Sequence, residues 1–256
     1  MGLVELANAI APQLEAQGRL IRLPEDRPVV FVGDTHGDLE ATQRVLSRHA
    51  PAEETIIFLG DAVDRGPDSA ENLGLILETV RSHPTSVHLL MGNHEVWRLA
   101  PFSPADFWEG LESGEGDAVA AALELLPYAA WHPAGVLALH GAFPDVADLT
   151  SIESIELGSE AWRAITWGDW GDRPSPVTSS GRPMFGRREF VDRARQLGVQ
   201  VLVRSHQPHA PISQFDDRCL TIFTSSAYGP GPRRVALLPA GRRVETTRSL
   251  DLEAID

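Results

Sequence analysis

The stretch VVFVGDTHGD, residues 29–38, opens with four consecutive apolar residues and ends in a cluster of carboxylate, hydroxyl and imidazole groups. A short apolar run bounded by turn-forming residues reads as a strand buried on both faces, the kind found in parallel sheets. The same device returns in TIIFLGDAVDRGPDS, residues 55–69, and in LLMGNHEVW, residues 89–97. Each time an apolar run closes on glycine and polar side chains follow at once. Helical spacing over residues 39–48 and 70–80 separates the three runs. This βαβαβ rhythm predicts an α/β fold, a parallel sheet with covering helices. Ligand sites in such sheets lie outside the carboxyl ends of the strands, so all three stretches deliver their polar groups to one edge.

Working outward, residues 3–16 have helical spacing. Gly and Pro punctuate 101–104 and 110–116, and a helical pattern resumes over 118–126. Short apolar runs then dominate, at 136–139, 199–203, 220–223 and 235–238, with one clear helix, 187–197, between them. The second half therefore predicts a more β-rich layer, giving mixed sheets layered with helices. No repeat, low-complexity tract or long linker divides the 256 residues. The chain reads as a single domain, with the strand-end blocks and the later apolar runs spread over about 29–234.

Composition removes several classes of function. Twenty-two basic against thirty-six acidic residues leave a formal charge of −14, which disfavours a broad grip on nucleic acid or an anionic membrane. All the basic residues are arginine, so neither a Walker-type phosphate lysine nor Schiff-base chemistry is available. No G-x-S-x-G elbow occurs. The single cysteine, Cys219, has no partner for an internal disulfide and reads as a buried structural thiol. No apolar run approaches the roughly eighteen residues of a spanning helix. The N-terminal stretch carries Glu5 without a basic region, and Leu6 stands where a myristoylation signal has Ser or Thr. A cytoplasmic location is expected.

Gly33, Gly60 and Gly92 close the three early strands, and the groups that follow are Asp34 and His36, Asp61 and Asp64, then Asn93 and His94. His140 and His206 end two later apolar runs in the same way. Carboxylate, imidazole and amide oxygen, with no thiolate among them, are the donors expected of first-row divalent metals. Crowded carboxylates would repel one another without a cation. His49, His83, His88, His132 and His209 lack this context and read as scaffold residues.

GDTHG, GDAVDRG and GNHE, in that order with about thirty residues between successive blocks, resemble the signature of the PPP family of phosphoprotein phosphatases, within the calcineurin-like metallophosphoesterase fold. The likeness continues through LPYAAW (126–131), LHGA (139–142), WGDW (167–170), VRSHQ (203–207) and FTSSAYG (223–229). The resemblance implies a two-metal site. Asp34, His36 and Asp61 would hold one divalent ion, and Asp61, Asn93, His140 and His206 the other, with manganese expected and iron or zinc as alternatives. It also assigns the substrate phosphate to Arg65 and Arg204, places Tyr228 nearby, and puts a later substrate arginine at Arg182 in preference to Arg173. Arginine forks match pairs of phosphate oxygens.

The implied chemistry is in-line attack by a hydroxide generated between the ions. His94 would protonate the leaving oxygen, Asp64 would hold the imidazole, and Glu95 would anchor the loop. Met91 stands where eukaryotic members carry arginine, and residues 101–116 do not resemble them, so regulatory-subunit surfaces do not transfer and the regulatory partner stays open. The leading expectation is hydrolysis of phosphoserine and phosphothreonine in phosphoproteins or phosphopeptides. A diadenosine tetraphosphate or other nucleotide hydrolase and a non-catalytic phosphoprotein-binding module are the alternatives. The VDRG and GNHE spellings favour the first over the second. A binding module would need neither Asp64, His94 nor the full ligand set.

Overall fold

In a computed structural model, residues 1–172, 174–175, 181–229 and 231–255 are described. Helix α1 (Leu3–Gln17) leads into β1 (Leu20–Arg22), and then β2 (Val29–Val32), α2 (Leu39–Arg48), β3 (Thr55–Phe58), α3 (Ser69–Ser82) and β4 (Val87–Leu89) follow. The predicted βαβαβ unit is thus present: β2, β3 and β4 pair in parallel, with Val30 opposite Ile56 and Ile57 opposite His88. Each strand is buried on both faces. That is why their sequences are mostly apolar on both faces instead of alternating.

The second half comprises α4 (Asp106–Glu109), α5 (Ser113–Leu123), β5 (Ala129–His132), β6 (Val136–Leu139), α6 (Glu160–Trp167), β7 (Asp169–Trp170), β8 (Met184–Phe185), α7 (Arg187–Leu197), β9 (Val201–Arg204), β10 (Ser213–Gln214), β11 (Cys219–Thr221), β12 (Arg234–Leu238) and β13 (Asp251–Ala254). Two larger sheets result, ordered β13-β12-β2-β3-β4 and β1-β5-β6-β9-β11-β10. They face each other across an apolar layer in which Val29, Phe31, Ile57 and Leu59 meet Val136, Ala138, Val201, Val203 and Leu220. The outward faces join the helices in a larger cluster that includes Ile10, Val45, Ile76, Leu123, Trp162 and Phe190. A fully buried side chain of this size contributes about 2 kcal/mol, so the two apolar layers hold the strand ends in fixed register.

Two expectations need correction. Helix α7 is not alone among the later strands: α6 lies there too, opened by Ser159, whose Oγ accepts from Trp162 N–H at 3.2 Å. The run 118–126 is helical only to Leu123 and begins earlier, at Ser113. Cys219 is buried as expected, and burial pushes its thiol up to about 12, so it stays protonated and inert. No helix among the described residues is long and apolar enough to cross a membrane.

Candidate metal centre

The site lies where the two sheets meet at their carboxyl ends. Asp34 forms an isolated parallel bridge with Phe223, and Gly33 N–H donates to Thr224 Oγ1 at 2.8 Å, tying the end of β2 to the segment after β11. Ser205 Oγ accepts from Asp34 N–H at 2.9 Å and donates to the Ile222 carbonyl at 2.7 Å. The chain turns sharply at this edge. His36, Asp61, Asp64, Arg65 and His206 all have positive φ, between 43° and 73°. Non-glycine residues in that region are strained, and such strain concentrates at functional sites. Gly92 has a different reason for lacking a Cβ: one there would run into Asp61 Oδ1 and the Asp61 amide.

The six expected ligands converge. His36 Nε2 stands 3.7 Å from both Asp34 Oδ2 and Asp61 Oδ2. His140 Nε2 lies 3.2 Å from Asp61 Oδ2, 3.3 Å from Asn93 Oδ1 and 3.1 Å from His206 Nδ1. Among the described residues, two groups of donor atoms are close enough to hold an ion, one with His36, Asp61 and His94, the other with Asp61, His140 and His206. Asp61 belongs to both. His36 and His140 each direct Nδ1 to a backbone carbonyl, Val63 at 2.9 Å and Leu59 at 3.0 Å. That pairing fixes the tautomer and turns the Nε2 lone pair inward, the usual arrangement of a metal-ligating histidine.

Electrostatics gives an independent test of fit. Burial and the adjacent Asp61 push the Asp34 carboxyl up to about 8, and burial, followed by Asp61, pushes Glu95 up to about 7. Burial and the neighbouring His94 take His36 down to about 3. His140 goes the other way: against burial, Asp61 and Asp34 raise it to about 9. Asp34, Glu95 and His140 thus hold protons beside the Asp61 carboxylate, while His36 and His206 are kept neutral with lone pairs free. Divalent cations would neutralise the carboxylates without those protons, and His140 Nε2 already lies within 3.3 Å of both Asn93 Oδ1 and His206 Nδ1 along this edge. The residues fit a metal centre.

Beside the cluster sits the expected acid pair. His94 Nδ1 is 2.7 Å from Asp64 Oδ2, and both side chains are almost wholly buried. His94 Nε2 faces the cluster, 3.9 Å from Asp61 Oδ2. A pocket of about 260 Å³ opens over this edge, lined by Arg65, Asn93, His94, Phe102, Ser103, Trp167, Asp169 and Arg182. The Tyr228 ring packs 5.2 Å from His36. Glu95 is fully buried and accepts from the amides of Asp61, Ala62 and Gly92 at 2.8, 2.8 and 2.9 Å. The loops after β3 and β4 are pinned through that one carboxylate.

Arg204 is not brought to the pocket. It shares a face of β9 with Leu202, which belongs to the outer cluster, while Val203 between them points into the layer separating the sheets. Its guanidinium is fully buried, donating to Gln207 Oε1 and, at 3.4 Å, to the Gly168 carbonyl. Strand alternation therefore corrects the expected phosphate role for Arg204. Arg173, the alternative to Arg182, lies outside the described residues.

Asp169 was missed as a site residue. Among the described residues its Oδ1 has no hydrogen-bond partner, and it lies 3.4 Å from His206 Nε2 and 3.8 Å from Arg182 Nη1. The signal available was a carboxylate isolated between tryptophans in WGDW. Of the five scaffold histidines, His49 pairs with Glu54 at 3.1 Å and His132 Nδ1 accepts from Ala134 N–H. His209 lines a cavity of about 810 Å³ that reaches the centre at His206 and shares Asp169 and Arg182 with the smaller pocket.

The sequence matches the calcineurin-like phosphoesterase family over residues 27–210. The chain belongs to that family. It is 26% identical over 226 residues to the serine/threonine-protein phosphatase 6 catalytic subunit of Drosophila melanogaster, covering 80% of this chain and 73% of that one. It is equally 26% identical, over 219 residues, to the serine/threonine-protein phosphatase 4 catalytic subunit of Saccharomyces cerevisiae, covering 79% and 70%. A solved structure of a protein serine/threonine phosphatase from Saccharomyces cerevisiae superposes with a TM-score of 0.82 at 20% identity, over 98% of this chain and 88% of that one. Within the calcineurin-like family the chain is a phosphatase of PPP type, a metal-dependent hydrolase.

Proposed function

We propose that this chain is a cytoplasmic, single-domain phosphatase that removes phosphate from phosphoserine and phosphothreonine in proteins. Asp34, His36 and Asp61 would hold one divalent ion, and Asp61, Asn93, His140 and His206 a second, with manganese suited to the oxygen and nitrogen donors. Bound there, such ions supply Lewis acidity toward phosphoryl oxygens and lower the pKa of water toward neutrality.

The protein's own groups do the rest. Arg65 and Arg182, on the wall of the pocket, offer guanidinium forks to the phosphate. Tyr228 stands beside them, its ring packed against His36. His94 presents Nε2 toward the leaving oxygen while Nδ1 is held by Asp64. An imidazole fixed in this way donates its proton as the ester bond breaks, while the carboxylate holds the ring with Nε2 presented.

The observation that carries this reading is the buried His94–Asp64 pair beside the Asp61-centred donors. A module that only bound phosphate would gain nothing from an oriented acid. Replacing His94 with Asn tests it: kcat on a phosphoserine peptide is expected to fall by about 10² to 10⁴, with metal content unchanged. Wild-type turnover by the variant with metal bound would remove His94 from the mechanism.

A further inference from the structure

Residues 101–116 are where the sequence departs from the eukaryotic phosphatases, yet the stretch Phe102 to Trp108 touches every group on the proton-donating side of the site. Phe107 N–H donates to Asp64 Oδ1 at 2.8 Å, complementing the His94 bond to Oδ2. Trp108 Nε1–H donates to the His94 carbonyl at 2.8 Å. The Pro104 carbonyl accepts from Arg65 Nη1 at 2.6 Å. The Phe102 ring meets the His94 imidazole edge-on, with centroids 4.5 Å apart, and lies 5.6 Å from the Trp167 ring. The Arg65 guanidinium is 5.7 Å from the same phenyl centroid.

The stretch is itself braced. Trp97 Nε1–H donates to the Phe102 carbonyl at 2.8 Å, and the Trp97 and Trp108 rings stack with an interplanar angle of 14°. Phe107 and Trp108 are buried, whereas Phe102 is half-buried at the pocket wall. One short segment thus constrains Asp64 from its backbone, His94 from both its carbonyl and its ring, and Arg65 from a carbonyl and an aromatic ring.

We infer that this segment is the positioning element for proton delivery in this chain. Trp108 is the positioning residue that sets the His94 backbone, and Phe102 is the residue that sets the imidazole plane against the leaving group. The inference rests on the phosphomonoesterase reading above. Misplacing a reacting group by about 1 Å can cost on the order of 10²-fold in rate. How much of that loss appears depends on the leaving group. The serine alkoxide departs only with a proton, whereas p-nitrophenolate is stable without one, so displacement of His94 weighs on the first and little on the second.

The test uses Trp108→Phe, which keeps a ring and removes the N–H donor, and Phe102→Leu, which removes the aromatic edge at a half-buried position. Each is assayed, with metal content checked, on a phosphoserine peptide and on p-nitrophenyl phosphate. The expected result is a fall in kcat at least about tenfold larger on the peptide than on the aryl ester, with KM for each within about twofold of wild type. Equal falls on both esters would make the segment merely structural and overturn the inference, and so would no fall on either. If Trp108→Phe does not fold, Phe102→Leu decides alone. Failure of the wild type on both esters would instead sink the phosphomonoesterase reading and this inference with it.

Discussion

Glu95 illustrates how much of this site depends on a residue that touches neither phosphate nor, in the proposed assignment, a metal. Its carboxylate takes three backbone N–H groups from two loops in a fully buried position. Removing it leaves buried donors with no partner, at about 1–3 kcal/mol each. Glu95→Ala is therefore expected to lose roughly 3 kcal/mol or more in urea unfolding, with Glu95→Gln recovering part of that loss. A change below about 0.5 kcal/mol would show that water replaces the carboxylate without penalty. The six proposed ligands were legible because each stands at the end of an apolar run, beside a glycine or a second polar group. Arg204 was misread because its side of the strand depends on alternation within β9, and a run of apolar residues buried on both faces conceals that register. Asp169 was overlooked because it offers no motif of its own, only proximity to His206 across the fold.

At the scale of the element, strands with four or more continuous apolar residues were evident, as were helices with ten or more residues. β1, β7, β8 and β10 are only two or three residues long, too short to show a period. The eight residues of α6 make barely two turns, and the stretch around Phe102 has no period at all. Strand β4 carries a prediction independent of the metal centre. His88 is buried, and burial lowers its imidazole from the ordinary 6.5 to about 4. The native state therefore holds it neutral, while the unfolded chain takes up a proton as pH falls below 6.5. Its contribution to stability is fully present above 6.5 and is lost as pH falls toward 4, by up to about 3 kcal/mol. The difference in unfolding free energy between wild type and His88→Val is expected to change by that order across this window and to stay level above it. A flat difference down to pH 4 would show that the imidazole finds a partner for its proton in the folded state.

For the whole molecule, the proposed ligands come from both sheets, β2, β3 and β4 on one side and β6 and β9 on the other, so bound cations would join the two layers as well as serve the chemistry. Ligands that bind only the folded state stabilise it in proportion to the logarithm of their concentration. Removing the metal with a chelator is accordingly expected to lower Tm, adding manganese back is expected to restore it, and Asp61→Asn is expected to abolish that response. A Tm indifferent to chelation would mean that the donors close on themselves without ions. The most direct test of the central claim is phosphate release by manganese-reconstituted protein from phosphoserine and phosphothreonine peptides, run beside diadenosine tetraphosphate, with Asp61→Asn as control. The account predicts peptide turnover that the substitution eliminates. Hydrolysis of the dinucleotide alone, with both peptides left intact, would contradict it.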